Sequence, residues 1–116
     1  MRFKNTYRAG LFAEFLARIY LRIRGFKILK SRYITGRYTK RAEIDIIARR
    51  GNLVIFVEVK NRLNVRTAFD AISHKQASRL RRAAETWIKK NRWYGNARFD
   101  VIVVSGWRVQ WFKNAL

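Results

Sequence analysis

Two runs rich in β-branched residues, 42–50 (AEIDIIARR) and 53–60 (LVIFVEVK), are separated only by Gly51-Asn52. A two-residue loop with Gly first is a hairpin connection, and it sets the register of the strands on either side. Arg50 then faces Leu53, and counting outward sets Asp45 opposite Glu58 and Glu43 opposite Lys60. Side chains alternate along a strand, so Glu43, Asp45, Glu58 and Lys60 share one face. The other face carries the apolar residues Ile44, Ile46, Ala48, Leu53, Ile55, Val57 and Val59. A slip by one residue would set Asp45 against Val57 and mix the faces, so the pattern itself specifies the pairing.

The remaining segments surround this hairpin. Residues 6–24 predict a helix, with Leu11, Phe12, Phe15, Leu16, Ile19, Tyr20 and Ile23 as its buried stripe. Gly10, Ala13 and Ala17 form a second strip of small residues suited to close contact, and Gly25 is a stop signal. Residues 26–34 predict a first strand and 35–41 (TGRYTKR) a basic turn. After a polar connection, 61–67, a helix is predicted over 73–91 with Ser73 as N-cap. Leu80, Ala83, Ala84, Trp87 and Ile88 are its apolar side; Lys75, Arg79, Arg81, Arg82, Lys89 and Lys90 are its basic side. Strands follow at 98–105 and 107–112. The order is α-β-β-β-α-β-β. A strand as apolar as VIVV, reached through a helix, implies a sheet covered on both faces. The expected class is therefore α/β, as one domain over residues 1–116.

Charge narrows the partner. Lys and Arg number 27 against seven Asp and Glu, a formal charge of +20. A compact fold with that much self-repulsion calls for a polyanion, with nucleic acid, DNA foremost, as the expected partner. The basic residues cluster at 32–41, at Arg49, Arg50, Arg62 and Arg66, and along 75–90. Arg37, Lys40, Arg41, Arg62, Arg66, Lys75, Arg79 and Arg82 are the candidate phosphate contacts. None sits in a base-reading motif, so they position rather than specify. Trp93-Tyr94, in a basic loop, could stack on unpaired bases. The first apolar stretch is interrupted by Glu14, Arg18, Arg22 and Arg24, which fits neither a signal peptide nor a membrane span. A soluble, cytoplasmic protein without a membrane partner is expected.

The acids are few enough that their placement carries weight. Directly opposed carboxylates destabilise a sheet unless something neutralises them. Lys60 or a nearby Arg could do so in a structural ion network. A divalent cation is the other neutraliser. With no Cys and one His (His74), Cys-based zinc sites, disulfides and His-cluster metal sites are excluded. Oxygen-only ligands select hard ions, Mg²⁺ or Mn²⁺. A carboxylate pair with an ammonium two residues beyond one member is an arrangement that cleaves phosphodiesters.

Glu43-Ile44-Asp45 followed by Glu58-Val59-Lys60 resembles the PD-(D/E)xK nuclease signature, with Ile44 in the place of its proline. The wider pattern resembles the YraN-like bacterial family of restriction-endonuclease-like proteins. It comprises Gly10, Glu14, Ala17 and Tyr20-Leu21; Gly25-Phe26; Ile46-Ile47 after Asp45; Phe56-Val57 before Glu58; Lys75-Gln76 with Leu80; and Arg98-Phe99-Asp100-Val101. The resemblance covers nearly the whole chain. It implies an α-β-β-β-α-β core with a mixed sheet flanked by helices. It also implies that Asp45, Glu58 and the carbonyl of Val59 hold the metal and that Lys60 is the catalytic lysine. Glu14 would be the additional acid of the Holliday-junction-resolvase-like branch, and Gln76 the helix glutamine of some branches. Branched or structured DNA is the implied substrate.

Each residue also has a plainer reading. Glu14 could pair with Arg18 one turn on, Glu43 could be either an additional site acid or the ion-pair partner of Lys60, and Asp100 could hold Arg98 or a backbone amide. His74 reads as a helix-start residue. A non-catalytic nucleic-acid-binding protein that keeps the fold is the alternative to a nuclease, and an RNA-processing endonuclease is a third reading. Cutting two strands needs two sites, so a homodimer is expected.

Overall fold

A computed structural model describes residues 6–36 and 41–116. Its elements are α1 (Thr6–Ile23), β1 (Lys27–Thr35), β2 (Ala42–Arg50), β3 (Leu53–Asn61), α2 (Val65–Asp70), α3 (His74–Lys90), β4 (Asn96–Ser105) and β5 (Arg108–Phe112). The five strands form one sheet in sequence order. β3 and β4 are parallel and every other neighbouring pair is antiparallel. A parallel pair needs a long crossover, which α2 and α3 supply. The fold is therefore a mixed α/β sheet flanked by helices; the chain's periodicities predict the α/β order and the two covered faces, and the family resemblance implies the mixed sheet.

The central hairpin has the counted register, running from Arg50 opposite Leu53 to Ile46 opposite Val57. Gly51 carries φ +58° at the first loop position and Asn52 does not need a positive φ, the geometry of a Gly-first hairpin turn. Strands β3 and β4 are buried on both faces. Ile55, Val57, Ile102 and Val104 pack under α1, Val54 and Phe56 pack under α3, and Val101 and Val103 pack beside α2.

Three local expectations change. First, the seam of α1 is its small-residue strip: Ala13, Ala17 and Leu21 are at most 1% exposed, whereas Leu11, Phe15 and Ile23 are 38%, 48% and 75% exposed. A helix laid on a smooth surface of Ile46, Ile55, Val57 and Ile102 approaches closely only through small side chains. The larger residues are displaced to its flanks, where Phe12 meets Trp107 and Tyr20 meets Trp111 edge-on at 5.1 and 6.3 Å. Second, Ile44 does not share the face of Ile46; it packs with Ile47, Leu80 and Ala83 under α3. The neighbouring strand β1 is irregular along this stretch: its register shifts between Ile28 and Lys30, opposite Ala48 and Ile47, and Arg32, between the partners of Ile46 and Ile44, has φ +55°. Third, the polar connection leads into the short helix α2 at Val65, which runs on to Asp70 and is capped by Asn64, whose side chain accepts from the Thr67 amide. Smaller shifts of one or two residues occur at the ends of α1, β1, β3, α3, β4 and β5.

Candidate active site

Beyond Ile46 and Val57 the ladder between β2 and β3 gives way to side-chain contacts. The Val59 amide donates to Asp45 Oδ2 at 2.8 Å. Glu58, on the next strand, is 6% exposed, and its Oε1 takes two donors: Lys60 Nζ at 3.1 Å and Gln76 Nε2 at 3.0 Å. Lys60 reaches Glu58 because residues two apart on a strand share a face. Gln76 reaches it because Ser73 caps α3 by accepting from the Gln76 amide at 3.1 Å, which fixes the first turn beside the strand. Asp45, Glu58, Lys60 and Gln76 are thus drawn into one network by three elements.

The electrostatics of the pair are strained. Burial, then the charge of Glu58, push the Asp45 carboxyl up to about 8, against the pull of the Val59 N–H; Glu14 and Glu43 add smaller repulsions. Burial also raises Glu58, opposed by the Lys60 charge and by hydrogen bonds with Lys60 and Asp45. Two carboxyl groups pushed toward their neutral forms, in a chain with no Cys and one His, are chemically suited to a hard divalent cation. Among the described residues no group of three or more His, Cys, Asp or Glu side chains is already arranged as a metal cage. The donors at hand are the two carboxylates.

The other expected residues divide. Glu14 lies near enough to repel Asp45, but both its oxygens are held by Arg32, Nε to Oε1 at 3.0 Å and Nη2 to Oε2 at 3.1 Å. The pairing with Arg18 one turn on is thereby replaced by one across the fold. Glu43 does not pair with Lys60; it faces Arg41 at 3.7 Å, while Lys60 turns to Glu58. Val59 contributes its amide to Asp45. Asp100 is fully buried and structural: it accepts from Arg98 Nε and Nη2, Trp111 Nε1 and the Asn114 amide, all within 2.9 Å. His74 opens α3.

A cleft of about 370 Å³ between the start of β2 and the start of α3 is lined by Arg41, Glu43, Lys75, Gln76 and Arg79 among others. Lys75 and Arg79 continue with Ser78 and Arg82 into a second hollow along α3. A basic track thus runs to Gln76, which touches Glu58. Arg62 and Arg66 are exposed on and before α2, outside that cleft. Arg37 and Lys40 lie outside the described residues.

Arg32 is the residue that the sequence alone did not single out. The pairs Ser31–Ile46 and Tyr33–Ile44 set it across from Asp45. The signal was in principle countable, but the seven-residue connection between the first two strands left that register open, whereas the two-residue loop of the central hairpin closed it.

The fold and this cluster define a mixed α/β protein with two carboxylates on adjacent strands, Glu58 buried and Asp45 partly buried, and a lysine on the second acid. The chain belongs to the uncharacterised protein family UPF0102, the YraN-like proteins, whose profile matches residues 13–104. That span contains Glu14, Arg32, Asp45, Glu58, Lys60 and Gln76 and stops before β5. The chain is 41% identical over 107 residues to the UPF0102 protein mlr4633 of Mesorhizobium japonicum, covering 90% of this chain and 82% of that one. It is 43% identical over 107 residues to a UPF0102 protein of Bartonella tribocorum, covering 90% and 78% of the two chains. It is 38% identical over 104 residues to the UPF0102 protein amb4503 of Paramagnetospirillum magneticum, covering 88% and 81%. No helix among the described residues is long and apolar enough to cross a membrane.

Proposed function

We propose that this protein is a nuclease that hydrolyses phosphodiester bonds in nucleic acid, most readily DNA, with Mg²⁺ or Mn²⁺. The observation that carries the reading is the meeting of Asp45 and Glu58, both pushed toward protonation, with Lys60 3.1 Å from Glu58 at the end of a basic track. Asp45 and Glu58 would hold the cation, with the Val59 carbonyl as a further donor. The cation would supply charge for the phosphate and acidify a water. The Val59 N–H orients Asp45, and Gln76 orients Glu58. Lys60 lies 3.1 Å from Glu58, and with a cation held by that carboxylate its ammonium would be free to face the developing charge on the phosphate. Arg41, Lys75, Arg79 and Arg82 hold the backbone on either side. Glu43 remains at the rim with Arg41.

The test is incubation with linear duplex, single-stranded and four-way-junction DNA, with and without Mn²⁺. Metal-dependent cleavage of at least one form is expected. Binding without cleavage of any DNA or RNA form would replace the nuclease by a binding module on the same fold. Gel filtration of the free and DNA-bound protein tests the homodimer.

A further inference from the structure

We infer that Arg32 is a phosphate-binding residue, held at the mouth of the acidic cluster by Glu14. This rests on the nuclease reading for its biological meaning, but not for its measurement. Three observations converge on Arg32. It lies across the β1–β2 ladder from Asp45. Its backbone is left-handed, φ +55°, an uncommon state for a non-glycine residue in a strand and one that clusters at ligand sites. Its side chain is fixed and yet half open: Nε and Nη2 grip both oxygens of Glu14, a residue 8% exposed, while the Arg32 side chain keeps 37% of its surface.

A guanidinium has five N–H donors in a rigid fork. Glu14 occupies the Nε/Nη2 edge, which leaves the Nη1/Nη2 edge, and that edge matches two oxygens of a phosphate. A lysine could neutralise Glu14 but could not serve both sides at once. The negative charges of Glu14 and Glu43 both favour the cationic form, so the fork stays charged. Glu14 is thereby a positioning residue for Arg32, each of its two oxygens accepting one N–H of the fork. The ligand class is a phosphodiester oxyanion one residue pair from the Asp45 carboxylate.

The experiment follows the arginine Nε–Hε resonances of the ¹⁵N-labelled, metal-free full chain by NMR during titration with dimethyl phosphate. The Arg32 resonance is identified by its absence in Arg32→Lys. A saturable Arg32 shift is expected, with a midpoint several-fold lower than those of the other arginines. Glu14→Gln should raise that midpoint at least threefold while the spectrum stays folded. An Arg32 resonance that does not move, or that drifts linearly with the exposed arginines, overturns the inference. A midpoint unchanged by Glu14→Gln overturns the positioning role. Should the protein cleave no nucleic acid, the nuclease reading fails on its own assay, and this titration still decides whether Arg32 takes a phosphate. Arg32→Asn, which tolerates the left-handed backbone, must abolish the low midpoint; its persistence on another resonance also overturns the assignment.

Discussion

Asp45 Oδ2 accepts the Val59 amide at 2.8 Å, so a carboxylate oxygen stands where a strand carbonyl would ordinarily close the ladder. The two strands end their regular pairing at Ile46 and Val57, one residue before Asp45 on β2 and Glu58 on β3. The side-chain bond satisfies the amide that the parting of the strands would otherwise orphan. It also holds Asp45 beside Glu58 despite their repulsion.

That repulsion predicts a pH dependence of stability. The Asp45 carboxyl is raised from 3.8 to about 8 in the folded chain, so the folded state keeps a proton that the unfolded state has already lost. Stability from this group is full below about 4, falls as pH rises, and is level again above about 8. Asp45→Asn removes the dependence. In metal-free buffer its melting temperature relative to the unmutated chain should rise between pH 5 and pH 8 by roughly 5 °C or more. Thermal scans at four pH values check this; a constant offset would remove the strain from the pair.

A cation relieves the same strain from the other side. Mn²⁺ should bind with release of protons, because the carboxyls must ionise to ligate it. Calorimetry in buffers of differing ionisation enthalpy reads that release at pH 6.5. Asp45→Asn should abolish the binding, and equal binding by the variant would remove Asp45 from the metal site.

Lys60 separates chemistry from structure. Its partner is Glu58, which Gln76 also holds, so Lys60→Met leaves Glu58 one donor. The substituted chain should remain folded, with Glu58 raised further and somewhat lower stability at alkaline pH. Loss of a charge acting on the transition state should lower cleavage by on the order of a hundredfold, while DNA affinity changes little, one cation among 27 being gone. Cleavage within threefold of the unmutated chain would make Lys60 a structural partner of Glu58 alone.

How much was legible in the chain follows from what each pattern measures. The hairpin could be counted from Arg50–Leu53 to Ile46–Val57 because Gly51-Asn52 permits one register; Asp45, Glu58 and Lys60 are singled out by that count but lie beyond the paired residues, where side-chain contacts bring them together. Gln76 came from family resemblance, and its contact with Glu58 needed the position of α3, which no local pattern specifies. Glu43 and Glu14 were seen as site acids, but their partners Arg41 and Arg32 depend on how β1 returns to β2 through a longer loop. On α1 the hydrophobic period finds the helix and the small strip is named for close contact, but the large stripe reads as the buried one; the sheet takes Ala13 and Ala17 for closeness, and of that stripe Leu16 packs beside them while Leu11, Phe15 and Ile23 are exposed.

The α1 seam gives a stability contrast. Ala17 is fully buried between helix and sheet, and Phe15 is half exposed. Ala17→Leu should destabilise by about 1–3 kcal/mol through overpacking. Phe15→Ser should cost less than about 1 kcal/mol, as surface changes do. Urea midpoints compare the two; the reverse order would return the large residues to the seam.

The basic face of α3 predicts the salt dependence of nucleic-acid binding. Lys75, Arg79 and Arg82 are exposed and line adjoining hollows that lead to Gln76. If each neutralises one phosphate of a duplex, each contributes about 0.9 to the slope of log affinity against log salt. The triple alanine variant should then lower the slope by about 2.7 and weaken binding alike for all sequences, because phosphate contacts carry no base information. Arg62 and Arg66 stand outside the cleft, so their double alanine variant should change the slope by less. Fluorescence anisotropy on one duplex from about 50 to 200 mM salt, a range over which screening and counterion release are steep, measures both slopes. An equal fall for the two variants would mean that DNA does not follow α3 toward Glu58, and the path to the carboxylates would then have to cross α2 instead.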